Sequence, residues 1–151
     1  MGTEQERNKD VVLQMFERSW NNGDLAYIDE IIPDNFRDYP PKRFFTTPLQ
    51  GKQSLYDAVK GFRDGFSDFH FEMLQLVAEG DLVVYVGRAT GTHDGTFFDV
   101  PPSGHKVSVL GINEFHLVNG QIVERWGVFD VMGMMQQIGL IPAGPGGASH
   151  D

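Results

Sequence analysis

Helical spacing of apolar residues governs the first part of the chain, and strand alternation governs most of the rest. Thr3 and Glu6 have capping-box spacing, and Val12, Met15, Phe16, Ser19 and Trp20 follow at helical intervals until "NNG" supplies a stop. Asp24 can cap a second, short helix carrying Leu25, Ile28, Ile31 and Ile32, which Pro33 ends. "NFRDYPP" predicts a short strand running into a turn. In "QGKQSLYDAVKGFRDGF", Leu55, Ala58, Val59, Phe62 and Phe66 mark a third, amphipathic helix despite Gly61 and Gly65.

Beyond Phe66 the period drops to two. "FHFEMLQLVAEG", "DLVVYVGRATGTH", "HKVSVLGINEFHL" and "QIVERWGVFD" are long, aromatic and β-branched, and "NG" at 119–120 predicts a tight hairpin between the last two. Glycines 87, 91 and 111 fall inside strands, which predicts bulges or bends and a strongly curved sheet. A last short helix, "VMGMMQQIG", precedes the Gly/Pro-rich "PAGPGGASHD". We expect one domain over residues 1–142 and a flexible tail over 143–151, with no internal repeat. Helices followed by a long antiparallel sheet is the α+β pattern in which helices cover one face. A curved sheet closed over by three N-terminal helices makes a cone whose cavity is open at one end.

Composition narrows the function. Among 151 residues, 21 acidic side chains against 12 basic give a net charge of −9, which repels nucleic-acid phosphates and anionic membranes. There is no cysteine, which excludes disulfides and a thiol nucleophile. The polar "MGTEQERNKD" lacks the features of a secretory signal, and Glu6 stands where N-myristoylation wants Ser or Thr. No run approaches a membrane span. The expectation is a soluble, cytoplasmic protein.

The phosphate-binding and nucleophile-elbow motifs, G-x-x-x-x-G-K-[ST], G-x-G-x-x-G and G-x-S-x-G, are absent. Five scattered histidines without H-x-H or H-x-x-x-H spacing give no reason to expect a metal. Asp130 draws attention through strand phase: alternation puts Ile122, Glu124, Trp126, Val128 and Asp130 on one face of "IVERWGVFD". If Trp126 and Val128 line the cavity, Asp130 joins them, and desolvation would make its carboxylate a usable acid or base. The competing role is an N-cap for the helix starting at Val131. His116 shares a face of its own strand with Ile112 and Glu114, and across the hairpin it could hold a proton. His93 in "GTHDGTFFDVPPSG" either meets substrate at the cone mouth or pins its loop. Tyr39 and Tyr85 offer phenolic donors, and Arg88 is an edge residue or an anion hook. Met132, Met134 and Met135 fill core space or an oligomer face.

Four stretches, "WNNGDLAYIDEIIPDNFRDY", "GTHDGTFFDVPPSGHKV", "NGQIVERW" and "FDVMGMMQQIG", in this order and spacing resemble the SnoaL-like polyketide cyclases, a branch of the nuclear-transport-factor-2-like cone folds. The resemblance covers about residues 8 to 142. It implies a metal-free, cofactor-free enzyme closing a ring by intramolecular aldol condensation of a polyketide ester. It also implies Asp130 as the acid/base, His116 as its assistant, and Tyr39 or Asn113 as further stabilisers of oxygen charge. Trp126, Trp20, Glu114, His93, Tyr85 and Arg88 complete the expected substrate-binding set. The chain departs from the family pattern in having Tyr39 after Asp38, Gly127 where a carboxylate follows the tryptophan, and His116 where others have arginine.

Relatives on the same fold supply alternatives. Limonene-epoxide hydrolases use R-x-D, which occurs nowhere here. Scytalone-type dehydratases use histidines, tyrosines and an aspartate, which His93, His116, Tyr39, Tyr85 and Asp130 could imitate. Ketosteroid-isomerase chemistry needs a second acidic donor, for which Glu114 is the candidate. A non-catalytic cone that binds a hydrophobic ligand or only dimerises through its sheet is the remaining reading. The expected partners are a small hydrophobic or polyketide-like substrate and a second copy of the chain.

Overall fold

The computed structural model describes residues 2–39 and 49–144. Helix α1 (Glu4–Gln14) opens with the expected capping box: Thr3 Oγ1 accepts from the Glu6 N–H, and Glu6 Oε2 accepts from the Thr3 N–H. It runs on without a break into a π-helical segment, Met15–Trp20. Val12, Met15, Phe16, Ser19 and Trp20 all face the core. Asp24 caps α2 (Leu25–Ile31) through the Tyr27 N–H, and α3 (Gln53–Gly65) buries Leu55 and Val59.

The strands are β1 (Arg37–Tyr39), β2 (Leu49–Gln50), β3 (His70–Glu79), β4 (Leu82–Thr92), β5 (Lys106–Val118) and β6 (Gln121–Phe129). They form one sheet in the order β2-β1-β6-β5-β4-β3, antiparallel except for the β1–β6 pair. Asn119 (φ 50°) and Gly120 (φ 79°) make the hairpin turn, with the positive angles that a type I′ turn demands. Helix α4 (Val131–Gln137) follows β6 and inserts Met134 into the core. Gln137 ties it to β5, accepting from the Ser108 N–H at 2.7 Å and donating to the Ser108 carbonyl at 3.1 Å. The α+β cone is therefore as expected; the tail expected over 143–151 lies, from residue 145 on, outside the described residues. Among the described residues no helix is long and apolar enough to cross a membrane.

The irregularities of the sheet match the glycines in part. Register shifts occur between Met73 and Gln75, directly opposite Gly87, and between His116 and Leu117, whereas Gly91 and Gly111 keep regular pairing. Gly87 and Gly91 also make room for aromatic side chains: a Cβ at Gly87 would lie 2.5 Å from the Tyr85 ring, and one at Gly91 2.9 Å from Phe66 Cβ.

The second shift reverses the expected phase of β6. Ile122 pairs with Leu117 and Glu124 with His116, so Val123 is an extra residue. Above this bulge the inward positions are Arg125, Gly127 and Phe129 rather than Glu124, Trp126 and Val128. Trp126 (43% exposed) and Val128 (53%) face outward. Simple alternation from Ile122 fails because one inserted residue moves every later side chain to the opposite face.

Candidate active site

With β6 turned over, the inner face of the sheet carries an unanticipated polar group. Arg125 on β6 reaches Asp38 on the adjacent β1, with Nε donating to Oδ1 at 2.7 Å and Nη2 to Oδ2 at 3.0 Å. Asp38 is 1% exposed and Arg125 6%. Ser54, the second residue of α3, donates its hydroxyl to Asp38 Oδ2 at 2.8 Å. Three donors on one carboxylate are what a buried charge needs to offset its lost hydration. Among the described residues Oδ1 accepts one of these bonds and Oδ2 two, which leaves Oδ1 a further acceptor position.

Beside this pair stands Asn113, opposite Gly127 in the β5–β6 register. A Cβ at Gly127 would lie 2.7 Å from Asn113 Oδ1 and 3.8 Å from the guanidinium carbon of Arg125. Glycine at 127 therefore lets the Asn113 amide oxygen lie close against the β6 backbone, where any side chain would strike it. Further along the inner face the walls become apolar. Phe62, Phe66, Phe69, Ala89, Val107, Val109 and Met134 line a narrow apolar crevice with room for about one water-sized group. Phe62, on this wall, meets Phe129 of β6 at 5.9 Å between ring centres. Phe97 and Phe98, in the loop after β4, fold onto α3 at Gly65 and Gly61, where a Cβ would strike their rings.

The expected site residues divide between the two faces. Asn113, Tyr85, Trp20 and His93 lie inside. Tyr85 stacks on Phe16 at 3.6 Å, and burial pushes its phenol well above the ordinary tyrosine range. Trp20 packs among Phe62, Phe69 and Phe71, its indole N–H buried without a partner among the described residues. His93 is fully buried and pins the loop, as its structural reading held: Nδ1 accepts from the Ser103 N–H at 3.2 Å.

The other expected residues line the outer face, contrary to a cavity role. Tyr39 stacks on Trp126 at 3.8 Å with rings 4° from parallel. Arg88 reaches Ser108 Oγ, Glu114 is exposed beside Trp126 in the register, and His116 pairs with Asp81 at 2.7 Å. Asp130 is exposed and caps α4, accepting from the Gly133 N–H at 2.8 Å. His116 lies opposite Glu124, six residues or about 20 Å along β6 from Asp130, so the two cannot share a proton.

Sequence reasoning missed Asp38, Ser54 and Arg125. The signal was there as paired charge: "RD" at 37–38 against "ER" at 124–125 matches opposite signs at two successive parallel pairs. Among the described residues no group of three His, Cys, Asp or Glu side chains is placed to hold a metal ion.

Comparison with known proteins places the chain. No curated protein matches it in sequence. Among solved structures, a protein from Jannaschia sp. CCS1, provisionally named a SnoaL-like polyketide cyclase, is 27% identical with a TM-score of 0.82, over 94% of this chain and 98% of that one. AclR from Streptomyces galilaeus, provisionally a hydroxylase, is 26% identical with a TM-score of 0.81, over 94% of this chain and 87% of that one. IdmH from Streptomyces antibioticus, provisionally a polyketide cyclase, is 27% identical with a TM-score of 0.76, over 87% of this chain and 98% of that one. The family model for SnoaL-like polyketide cyclase matches residues 10–138, and the chain belongs to that family.

Proposed function

We propose that the protein is a small-molecule acid/base enzyme that closes a ring in a hydrophobic, polyketide-like substrate by an intramolecular aldol-type reaction in the cone interior. The observation that carries this reading is the Asp38 carboxylate, 1% exposed on the inner face of the sheet and held there by Arg125 and Ser54. A buried ion pair is poor evidence of a stability device, because an apolar pair of similar volume often does as well or better. A carboxylate kept there at that cost is suited to chemistry.

In the proposed reaction Asp38 Oδ1, through its further acceptor position, takes a proton from a carbon between two carbonyl groups. The enolate carbon then attacks a second carbonyl of the same molecule, and the proton returns to the resulting alkoxide. Addition leaves the mass unchanged, and loss of one water completes a condensation. The substrate's own carbon acidity supplies much of the driving force, so one base and a donor for the enolate oxygen suffice without a cofactor.

The test offers aromatic polyketide esters with a β-dicarbonyl side chain and follows ring closure by absorbance and mass spectrometry. Asp38→Asn should remove turnover, but it strands Arg125 in the interior and endangers the fold. The double variant Asp38→Leu/Arg125→Met removes both charges together. Lost turnover with an intact fold supports the reading; retained turnover overturns it. Asp130→Asn is run beside it because the family resemblance favours Asp130, which stands where β6 meets α4. Turnover that survives Asp38→Leu/Arg125→Met and is lost in Asp130→Asn would move the base to the cone's rim. A product that has lost water without a new ring would indicate dehydration, and a shifted double bond at unchanged mass would indicate isomerisation. Binding with no conversion in any variant would leave a ligand carrier.

We also propose that a second copy covers the outer face of the sheet. Leu110, Ile112, Trp126 and Val128 are adjacent in the β5–β6 register and each is more than two-fifths exposed. Sedimentation should give a dimer that Leu110→Glu/Val128→Glu dissociates; a monomer at tens of micromolar would overturn this.

A further inference from the structure

We propose that two copies of the chain meet through the outer face of the sheet in one defined register, in which Arg88 of each copy pairs with Glu114 of the other across a two-fold axis. This register rests on the reading of that face as a contact between copies.

Strand pairing lays the outward side chains in rows across the sheet. The middle row holds Val128, Ile112 and Val86. Two residues along β5 in one direction lies the row of Trp126, Glu114 and Val84, and two residues in the other lies the row of Leu110 and Arg88. Leu110, Ile112, Trp126 and Val128 are 43–53% exposed, so the middle of this face is a contiguous apolar patch. Glu114 and Arg88 are set into it on adjacent strands. They lie on opposite sides of the Ile112 row and equally far from it, about 7 Å along the strands.

Neither charge is answered within its own subunit. Glu114 is exposed and, among the described residues, makes no hydrogen bond or ion pair. Arg88 is half-buried and spends one long bond, 3.4 Å, on the neutral Ser108 hydroxyl; Glu72, beside it in the β3–β4 register, forms no ion pair with it. Elsewhere on the same face charges are matched, Arg37 with Glu124 and His116 with Asp81. An unanswered cation and an unanswered anion within an apolar patch oppose contact with a neutral surface, because each would lose hydration without compensation. They favour contact with a surface that carries the opposite charges at the same spacing. The patch is itself such a surface.

A two-fold axis in the contact plane, passing between Ile112 and Val86 and running roughly across the strands, carries Glu114 onto the partner's Arg88 and Arg88 onto the partner's Glu114. Contacts related by a two-fold axis come in such reciprocal pairs, so one complementary couple of residues gives two ion pairs per dimer. The same operation sets Trp126 over the partner's Leu110 and places Ile112 and Val86 against their own counterparts. All the exposed apolar rows are then covered together. Bringing Glu114 to Arg88 on the neighbouring strand also makes the two sheets cross at a few tens of degrees, close to the aligned packing of twisted sheets. With a net charge of −9 on each chain, bulk electrostatics works against association, so the two cross-axis pairs act as selectors of register.

Charge reversal with complementation tests this, read by sedimentation equilibrium and native mass spectrometry at low ionic strength. Arg88→Glu sets two carboxylates face to face at both contacts, and Glu114→Arg sets two guanidinium groups there. Each variant alone should raise the dissociation constant of the dimer about a hundredfold or more. Mixed in equal amounts, the two should form a heterodimer of near wild-type affinity, since one contact keeps the native pair and the other has it exchanged. Arg88→Glu/Glu114→Arg on one chain should dimerise with itself and should not pair with wild type.

Heterodimer formation on mixing supports the register, because variants that had merely lost their fold could not rescue each other. The register is overturned if both single variants keep wild-type affinity, or if two folded monomers stay apart when mixed while the wild type dimerises. In those cases the outer face remains a dimer contact with a different arrangement. A wild-type chain that stays monomeric at tens of micromolar overturns the dimer contact and the register together.

Discussion

Two ion pairs join β1 to β6 at successive positions of one parallel register, on opposite faces and with their signs exchanged. Asp38–Arg125 faces inward with side chains 1% and 8% exposed, whereas Arg37–Glu124 faces outward at 46% and 21%. Both have close nitrogen–oxygen contacts, at 2.7 Å and 2.6 Å. Geometry therefore does not separate them; surroundings do. Inside, the two charges have surrendered hydration, so neither can lose its partner cheaply. Outside, water and salt replace a lost partner at once.

The largest effect should come from breaking the inner pair on one side. Asp38→Ala strands the Arg125 charge and should cost about 3–5 kcal/mol in urea unfolding. Asp38→Leu/Arg125→Met, which removes both charges, should be close to neutral or stabilising. If the two variants lose the same stability, the pair is a structural element and the chemical reading of Asp38 weakens with it.

The contrast between faces also marks how far the sequence could be read. Helix spacing, caps and the "NG" turn depend on neighbouring residues, so α1 to α4 and the β5–β6 hairpin were legible from the chain itself. Which face of β6 turns inward depends on the single unpaired residue Val123, and nothing near it distinguishes that residue from its neighbours. One slip exchanged Trp126 and Val128 for Arg125 and Gly127, and with them Asp130's surroundings. A buried arginine and an inward glycine look wrong for a cavity wall until Asp38 arrives from a strand more than eighty residues earlier. Of the expected site residues, Asn113, Tyr85, Trp20 and His93 lie inside because their strands or helices kept simple phase.

A smaller effect is expected from the aromatic layer of the outer face. Trp126→Ala removes the parallel stack with Tyr39, worth about 0.5–1.5 kcal/mol beyond the area lost, along with the indole N–H that donates to Glu124. If the outer face is a dimer interface, this loss should grow with protein concentration. A concentration-independent loss would confine Trp126 to its own subunit.

On the inner face, Tyr85 should reveal burial through pH. Burial raises its phenol above the ordinary value, so the stability linked to it is present below about pH 10 and is lost as pH rises beyond that. Tyr85→Phe should make the alkaline limb of a stability–pH curve shallower while leaving the neutral region nearly unchanged. Identical alkaline limbs in wild type and variant would mean that the ring opens to water before it titrates.

The smallest effect belongs to the outer pair. Burial alone would raise the Glu124 carboxyl, but hydrogen bonds from Arg37 and the Trp126 indole outweigh it, and the net shift is downward. A carboxylate depressed in the folded state contributes stability above its unfolded value, about pH 4.3, and that contribution disappears as pH falls through the folded value. Glu124→Gln should therefore leave the urea midpoint at pH 7 within experimental error in moderate salt, and it should flatten only the acid limb at low ionic strength. A loss at pH 7 approaching that of Asp38→Ala would mean that the outer pair is shielded from water in solution. The sheet's outer face would then be covered, and the difference between the two pairs would belong to the isolated chain rather than to the assembled protein.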